Sequence, residues 1–98
     1  MPEISRFYGI IIYMYYEDHL PSHFHAHYGE HEAIIEIESL AVIAGSLPHR
    51  ALGLVIEWAS MHQKDLSAAW EDAKALQPLR KIAPLNCDSV ALSRLHIS

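Results

Sequence analysis

The sequence predicts an α+β domain, in which a small antiparallel sheet of three or four strands from the N-terminal half packs against two C-terminal helices. The first half is rich in β-branched and aromatic residues, and in places apolar and polar residues alternate. Both features are typical of strands. The second half changes to apolar residues three and four positions apart, the spacing of one helix face. With 51% apolar residues in 98 positions, the chain predicts a single domain at residues 1–85 and a C-terminal tail at 86–98.

Two apolar segments predict further strands of the sheet. Residues 4–16 are apolar at odd and even positions, which predicts a central strand covered on both faces. The segment that follows contains Pro21 and is interpreted as a loop. Residues 40–44 predict a short fourth strand that ends at Gly45.

The clearest local prediction is a β-hairpin. Residues 23–28 and 32–38 alternate, and Gly29-Glu30 between them fits a two-residue loop of type II′, which takes glycine first. This turn sets the register, and the histidines then share one sheet face with glutamates while apolar residues share the other. The register predicts cross-strand pairs of His23 with Glu36, His25 with Ile34, and His27 with Glu32.

Two helices follow the strands. Ser46 is a candidate N-cap, with Pro48 in the first turn of a helix at residues 48–62. Asp65 is a candidate N-cap for a second helix, which Pro78 stops. The first helix carries more apolar surface than one sheet face needs. We therefore expect its second stripe to contact the later helix, residues 79–85 or another subunit; this stripe contains Leu54, Trp58 and Met61.

Charge and composition limit the classes of partner. Residues 1–46 contain one cation, Arg6, and seven carboxylates, which gives this half a formal charge of −6. A nucleic-acid partner is therefore not favoured, since such proteins usually show a basic surface. Cys87 is the only cysteine and cannot form an internal disulfide, which favours a reducing compartment. Without a signal peptide or an apolar segment of membrane-spanning length, we expect a cytoplasmic protein with no membrane contact.

Five of the eight histidines lie between residues 19 and 31, and they are the candidate functional residues. Histidines two positions apart on a strand point to the same side, so His23 and His25 can both reach one ion. His19 and Asp18 from the preceding loop, or Glu36 from the neighbouring strand, would complete a ligand shell for a divalent metal such as zinc. Acid–base chemistry by the same histidines and carboxylates is a second interpretation. Simple His–Glu pairs on a solvated face are a third, which the spacing alone favours over a metal.

Several short motifs occur in an order that resembles a known family. They are Pro2-x-Ile4-Ser5-Arg6-Phe7-Tyr8-Gly9, Asp18-His19-x-Pro21-x-His23-Phe24-His25, Tyr28-Gly29-Glu30, Leu47-Pro48-x-Arg50-Ala51-Leu52, and Glu57-Trp58-Ala59. With them, residues 2–85 resemble the small bacterial proteins grouped as domain of unknown function 4160. In the family pattern two prolines precede the first histidine of His-Phe-His, and Ser22 replaces the second one here. The resemblance favours His19, His23 and His25 over the additional His27 and His31.

The resemblance also implies a kind of function. Members look like stand-alone proteins that are often encoded beside another small protein, an arrangement that resembles a toxin–antitoxin pair. We therefore expect a toxin–antitoxin-type or regulatory component that acts through a protein partner or as a homo-oligomer. Its functional site would be the cluster of His19, His23 and His25. The alternative is a small hydrolase or nuclease whose catalytic residues are the same three histidines, with or without zinc.

Overall fold

The computed structural model describes residues 2–16 and 18–85, so the predicted tail at residues 86–98 lies outside the described residues. Five strands form one antiparallel sheet in chain order, and two helices follow. The α+β class and the C-terminal position of the helices are confirmed, whereas the sheet has five strands instead of three or four. The elements are β1 (Glu3–Phe7), β2 (Ile10–Tyr13), β3 (His23–Tyr28), β4 (His31–Glu36), β5 (Val42–Ser46), α1 (His49–Met61) and α2 (Gln63–Lys74).

The fifth strand arises because the predicted single strand at residues 4–16 is wrong. The chain reverses at Tyr8 and Gly9, whose φ angles are 50° and 79°. Two consecutive residues with positive φ make the tight turn that connects antiparallel strands with the usual twist. β1 and β2 consequently pair with each other, with Phe7 opposite Ile10.

The predicted hairpin of β3 and β4 is confirmed with its register. Gly29 has a φ of 60° while Glu30 has no positive φ, which agrees with the predicted type II′ loop. His23 pairs with Glu36, His25 with Ile34 and His27 with Glu32. Because side chains alternate along a strand, the three histidines lie on one face of the sheet. We call this the histidine face and the opposite one the core face.

The two edges of the sheet differ. β5 pairs with β4 on one side only, and it begins two residues later than predicted and contains Gly45. At the other edge, the backbone N–H of Ile82 donates to the carbonyl oxygen of Ile4 at 2.8 Å. The chain after α2 therefore returns along β1, which leaves β5 as the uncovered edge within the described part of the chain.

The helices begin without the predicted side-chain caps. Ser46 is the last residue of β5, and Pro48 is the N-cap of α1, with no side-chain hydrogen bond. α2 begins before Asp65, which lies in its first turn, 3.4 Å from Nδ1 of His62. A direct junction from α1 through His62 into α2 leaves no room for a helix start at Asp65.

Trp58 of α1 joins the helices to the core face. Its ring lies 5.4 Å from that of Phe7 and 6.0 Å from that of Phe24. Its indole N–H donates to the carbonyl of Ala83 at 2.8 Å, which confirms the predicted contact with residues 79–85 for this side chain. Met61, by contrast, is exposed. Among the described residues, neither helix is long and apolar enough to cross a bilayer.

Candidate functional site on the histidine face

Asp18, His23 and His25 form a compact group on the histidine face. Nε2 of His23 lies 2.9 Å from Oδ2 of Asp18, and Nε2 of His25 lies 3.5 Å from the same oxygen. One potential ligand atom of each residue lies within 4.8 Å of those of the other two. This is the one such group of three among the residues that the structure describes, and two of its members are buried.

The alternation of β3 positions both imidazoles. His23 and His25 point to the histidine face, while Phe24 between them is fully buried in the core. Both imidazoles are nevertheless buried, with 7% of each residue exposed. The connection between β2 and β3 places Asp18 against both rings, so the group is not a solvated stripe of His–Glu pairs.

His23 is fixed from two sides. Its Nδ1 lies 2.7 Å from the carbonyl oxygen of Pro21. A carbonyl oxygen can only accept, so Nδ1 donates to Pro21. The ionised Asp18 carboxylate also only accepts, so Nε2 donates to it when the ring carries both hydrogens. The ring also packs against Trp70 of α2, with centroids 5.1 Å apart.

His25 lies between two tyrosines. Tyr13 stacks on its ring at 4.9 Å, and Tyr15 meets the ring edge-on at 4.8 Å. Its Nδ1 is buried and makes no hydrogen bond to any described residue. The nearest carboxylate atom is Oε2 of Glu32, at 3.4 Å and outside hydrogen-bond geometry. The Tyr13 hydroxyl donates to this same oxygen.

The electrostatics of the group favour a charged carboxylate beside a neutral imidazole. Partial burial raises the pKa of the Asp18 carboxyl, but hydrogen bonds from the His19 backbone N–H and from His23 outweigh it and hold the pKa below its usual range. Burial lowers the pKa of His25 more than its hydrogen bond to Asp18 raises it, and the charge of His23 adds to the decrease. Deprotonated carboxylate and neutral imidazole are the forms that bind metals.

The arrangement also has the surroundings of a metal centre. Histidines that bind a metal through one nitrogen usually direct the other nitrogen at a carbonyl or a carboxylate. Here Nε2 of both histidines points to Asp18, while Nδ1 of His23 meets the carbonyl of Pro21 and Nδ1 of His25 faces Glu32. Two imidazoles and one carboxylate suit zinc and other first-row divalent ions.

The other predicted site residues lie outside this group. His19 is exposed, and its backbone N–H, rather than its imidazole, contacts Asp18, at 2.9 Å from Oδ1. Glu36 lies opposite His23 in the sheet, and its carboxylate accepts a hydrogen bond from Ser39. The assignment of functional roles to His19 and Glu36 stays a prediction.

Two contributors to the site were not assigned to it from the sequence. Glu32 was only a cross-strand neighbour of His27, but its side chain reaches diagonally to His25. Trp70 is a buried residue of α2, and the helix pattern of the sequence gives no sign that it also contacts His23. The pairing of Tyr13 with His25 in the β2–β3 ladder was the available signal for this neighbourhood, once the turn at Gly9 is recognised.

Comparison with known proteins identifies a family. No curated protein and no solved structure matches the chain. A family model described as domain of unknown function (DUF4160) matches residues 9–71. The matched segment contains Asp18, His23 and His25 as well as four of the five strands in full. It spans more than half of the chain, and the protein therefore belongs to the DUF4160 family.

Proposed function

We propose that Asp18, His23 and His25 bind a divalent transition-metal ion and that this centre serves hydrolysis of a small substrate. The convergence of two Nε2 atoms on one carboxylate oxygen, at 2.9 and 3.5 Å, carries the proposal. A tetrahedral zinc ion with bonds of about 2.0–2.2 Å holds its ligand atoms roughly 3.3–3.5 Å apart. The two contacts are already close to this separation.

Hydrolysis follows from the number of protein ligands. Three protein ligands leave a coordination position for water or substrate, as in catalytic rather than structural zinc sites. An ion in such a site supplies Lewis acidity and makes water a better nucleophile near neutral pH. The acidic first half of the chain repels polyanions, which favours a small neutral or cationic substrate over RNA.

The test begins with metal content and affinity. Natively purified protein is expected to contain about one equivalent of metal, and calorimetric titration of the stripped protein with zinc is expected to show one site. His23→Ala and His25→Ala should each remove this binding. His27→Ala is the matched control, because it removes a histidine from the same strand and face but outside the group. Full zinc affinity in the His23→Ala and His25→Ala proteins, with the fold intact, would contradict the proposal.

Two further measurements separate the alternatives. His19→Ala decides whether His19 joins the ligand shell, since the described geometry predicts unchanged zinc affinity. The zinc-loaded protein is then assayed against a neutral ester, a neutral amide and a short RNA. Cleavage of RNA alone would replace the small-molecule hydrolase with a nuclease.

A second candidate function is that of a toxin–antitoxin-type or regulatory component with a protein partner. The exposed edge strand β5 supports it, since Val42 and Ile43 are 38% and 45% exposed. Uncovered strand edges with apolar side chains are surfaces that other chains extend.

Co-expression with the small protein that the family resemblance predicts beside its gene tests this role, with growth and complex formation as readouts. Ile43→Lys is expected to remove a complex formed through β5. Leu76→Lys introduces the same positive charge at an exposed apolar residue outside the sheet and should leave the complex intact. Unaltered growth and no complex in the co-expression strain would contradict this candidate.

A further inference from the structure

An open cavity of about 410 Å³ lies on the histidine face beside His25. This volume is within the range of small-molecule sites. The proposed metal ligands face Asp18 through Nε2, whereas the cavity adjoins the other side of the His25 ring, where Glu32 lies. The cavity is therefore a feature that the metal centre does not use. Its lining residues are Tyr15, His25, Glu32, Ile34, Ala44 and Gly45.

The walls of the cavity combine an apolar surface with one negative charge. Ile34, Ala44 and the ring of Tyr15 supply the apolar part, and no lysine or arginine lines it. The Glu32 side chain is 47% exposed, so its carboxylate is accessible. Both of its contacts with described residues use Oε2, which leaves Oε1 for a ligand.

A second acceptor lies next to this carboxylate. In the tautomer in which Nε2 of His25 donates to Asp18, Nδ1 carries a lone pair. Nδ1 is buried without a hydrogen-bond donor, 3.4 Å from Oε2 of Glu32. An unpartnered acceptor beside the carboxylate makes the potential at Glu32 more negative, which favours a cation with several N–H donors.

We propose that this cavity binds a small organic cation whose head is an amidinium or a guanidinium. Its N–H groups would donate to the accessible carboxylate of Glu32 in the charge-assisted hydrogen bonds that a planar cation favours. Its apolar body would lie against Tyr15, Ile34 and Ala44. An anion is disfavoured because Glu32 would repel it.

Cation and metal would be coupled through His25 and Glu32. A metal held at Nε2 would leave the imidazole hydrogen on Nδ1, where it faces Glu32 and weakens this carboxylate as an acceptor for the cation. This coupling rests on the proposed metal centre, whereas the cation site itself does not. Because coupling between two ligands is reciprocal, each weakens the binding of the other by the same factor.

The cation site is tested on the metal-stripped full-length protein with three probes of nearly equal shape. They are benzamidine, benzamide and benzoate, which are cationic, neutral and anionic, and binding is followed by NMR shifts of backbone amides. Benzamidine is expected to bind at least about tenfold more tightly than benzamide, with shifts centred on β4 and β5. Equal or tighter binding of benzamide or benzoate, or no binding of benzamidine at about 10 mM, would overturn the inference.

Charge variants identify the group that selects the cation. Glu32→Gln keeps the size of the side chain and should remove the preference for benzamidine over benzamide. Glu30→Gln removes the same charge two residues away in the hairpin loop, outside the cavity lining, and should keep the preference. Ala44→Leu fills the cavity from exposed strand β5 without changing a charge and should abolish binding. Unchanged benzamidine affinity in Glu32→Gln or Ala44→Leu would overturn the site.

Zinc distinguishes the failure of this inference from that of the proposed function. Saturating zinc is expected to weaken benzamidine binding several-fold, and an unchanged affinity would overturn the coupling. Zinc binding without benzamidine binding would contradict the cation site and support the metal centre. Benzamidine binding without zinc binding would contradict the metal centre and support the cation site.

Discussion

The ring of Tyr13 stacks on the imidazole of His25, with centroids 4.9 Å apart and planes 14° from parallel. The two residues are direct partners in the β2–β3 ladder. The hydroxyl of Tyr13 also donates to Glu32, whose carboxylate faces Nδ1 of His25. Tyr13 thus positions both an imidazole and the carboxylate beside it.

Tyr13→Phe keeps the stacked ring and removes the hydrogen bond to Glu32. We expect the free energy of unfolding to fall by about 1.5–3 kcal/mol, the usual range for a hydrogen bond to a charged group. Urea denaturation measures the change. Tyr15→Phe is the matched control, because the Tyr15 hydroxyl makes no hydrogen bond to any described residue. An equal loss of stability in both variants would contradict the role of the Tyr13 hydroxyl.

Zinc should stabilise the folded protein through Asp18. A ligand that binds only the folded state adds about 2.7 kcal/mol at a hundredfold excess over its Kd, which a thermal melt detects as a higher Tm. Asp18→Asn should remove most of this increase, since it takes the charge from the oxygen shared by both histidines. Glu36→Gln should retain the increase, because Glu36 contacts Ser39 and lies outside the group. Loss of the zinc effect in Glu36→Gln would instead make Glu36 a ligand, as the sequence predicted.

The metal-free protein should lose stability as the pH falls from 7 to 5. The pKa of His25 in the folded state is below its ordinary value of 6.5. Between the two pKa values the unfolded chain binds a proton that the folded chain does not, so the free energy of unfolding rises with pH across this range. The pKa of Asp18 is below its ordinary value of 3.8, so its contribution is present above that pH and is lost as pH falls further.

Urea denaturation at several pH values checks this dependence. His25→Gln should show a smaller change in the free energy of unfolding between pH 5 and 7 than the parent protein. His49→Gln alters the exposed first residue of α1 and should keep the pH dependence of the free energy of unfolding seen in the parent protein. The same pH dependence in His25→Gln as in the parent would contradict the assignment to His25.

Gly45→Ala should destabilise the sheet and close the edge of the cavity. A Cβ at this position would lie 2.1 Å from the carbonyl oxygen of Glu32, and the φ of Gly45 is 72°. The left-handed conformation alone costs an alanine about 1–2 kcal/mol, and the overlap adds to it. Gly53→Ala is the contrasting variant, since its Cβ meets nothing within 4 Å on α1 and should stabilise by about 0.5–1 kcal/mol. Thermal melts of both proteins should show a lower Tm for Gly45→Ala and a higher Tm for Gly53→Ala.

The sequence was most informative where local rules coincide. In the β3–β4 hairpin, the alternation of His23 to Tyr28 and the glycine of the turn both specify one register, and the structure has this register. β1 and β2 were missed because the apolar run hides a turn whose first residue is Tyr8, a side chain that rarely adopts positive φ. The signal was Gly9 within a strand-like segment.

The candidate site could be predicted only in part, because it depends on tertiary contacts. Alternation along β3 predicts that His23 and His25 share a face. It does not decide whether Asp18 or His19 turns toward them, since adjacent loop residues are positioned by backbone contacts rather than by a period. The contact of Trp70 with His23 depends on how α2 lies against the sheet, which no local pattern encodes.

The unequal edges of the sheet limit how copies of this chain can associate through strand pairing. The carbonyls of Ile4 and Glu3 in β1 already accept hydrogen bonds from Ile82 and Lys81, whereas the outer side of β5 pairs with no residue in the described part of the chain. If two copies pair through β5, the exposed edge of each copy becomes covered. The remaining edge of each sheet is β1, which the returning chain already covers. Association through strand pairing therefore stops at a twofold-symmetric dimer instead of continuing into a fibre.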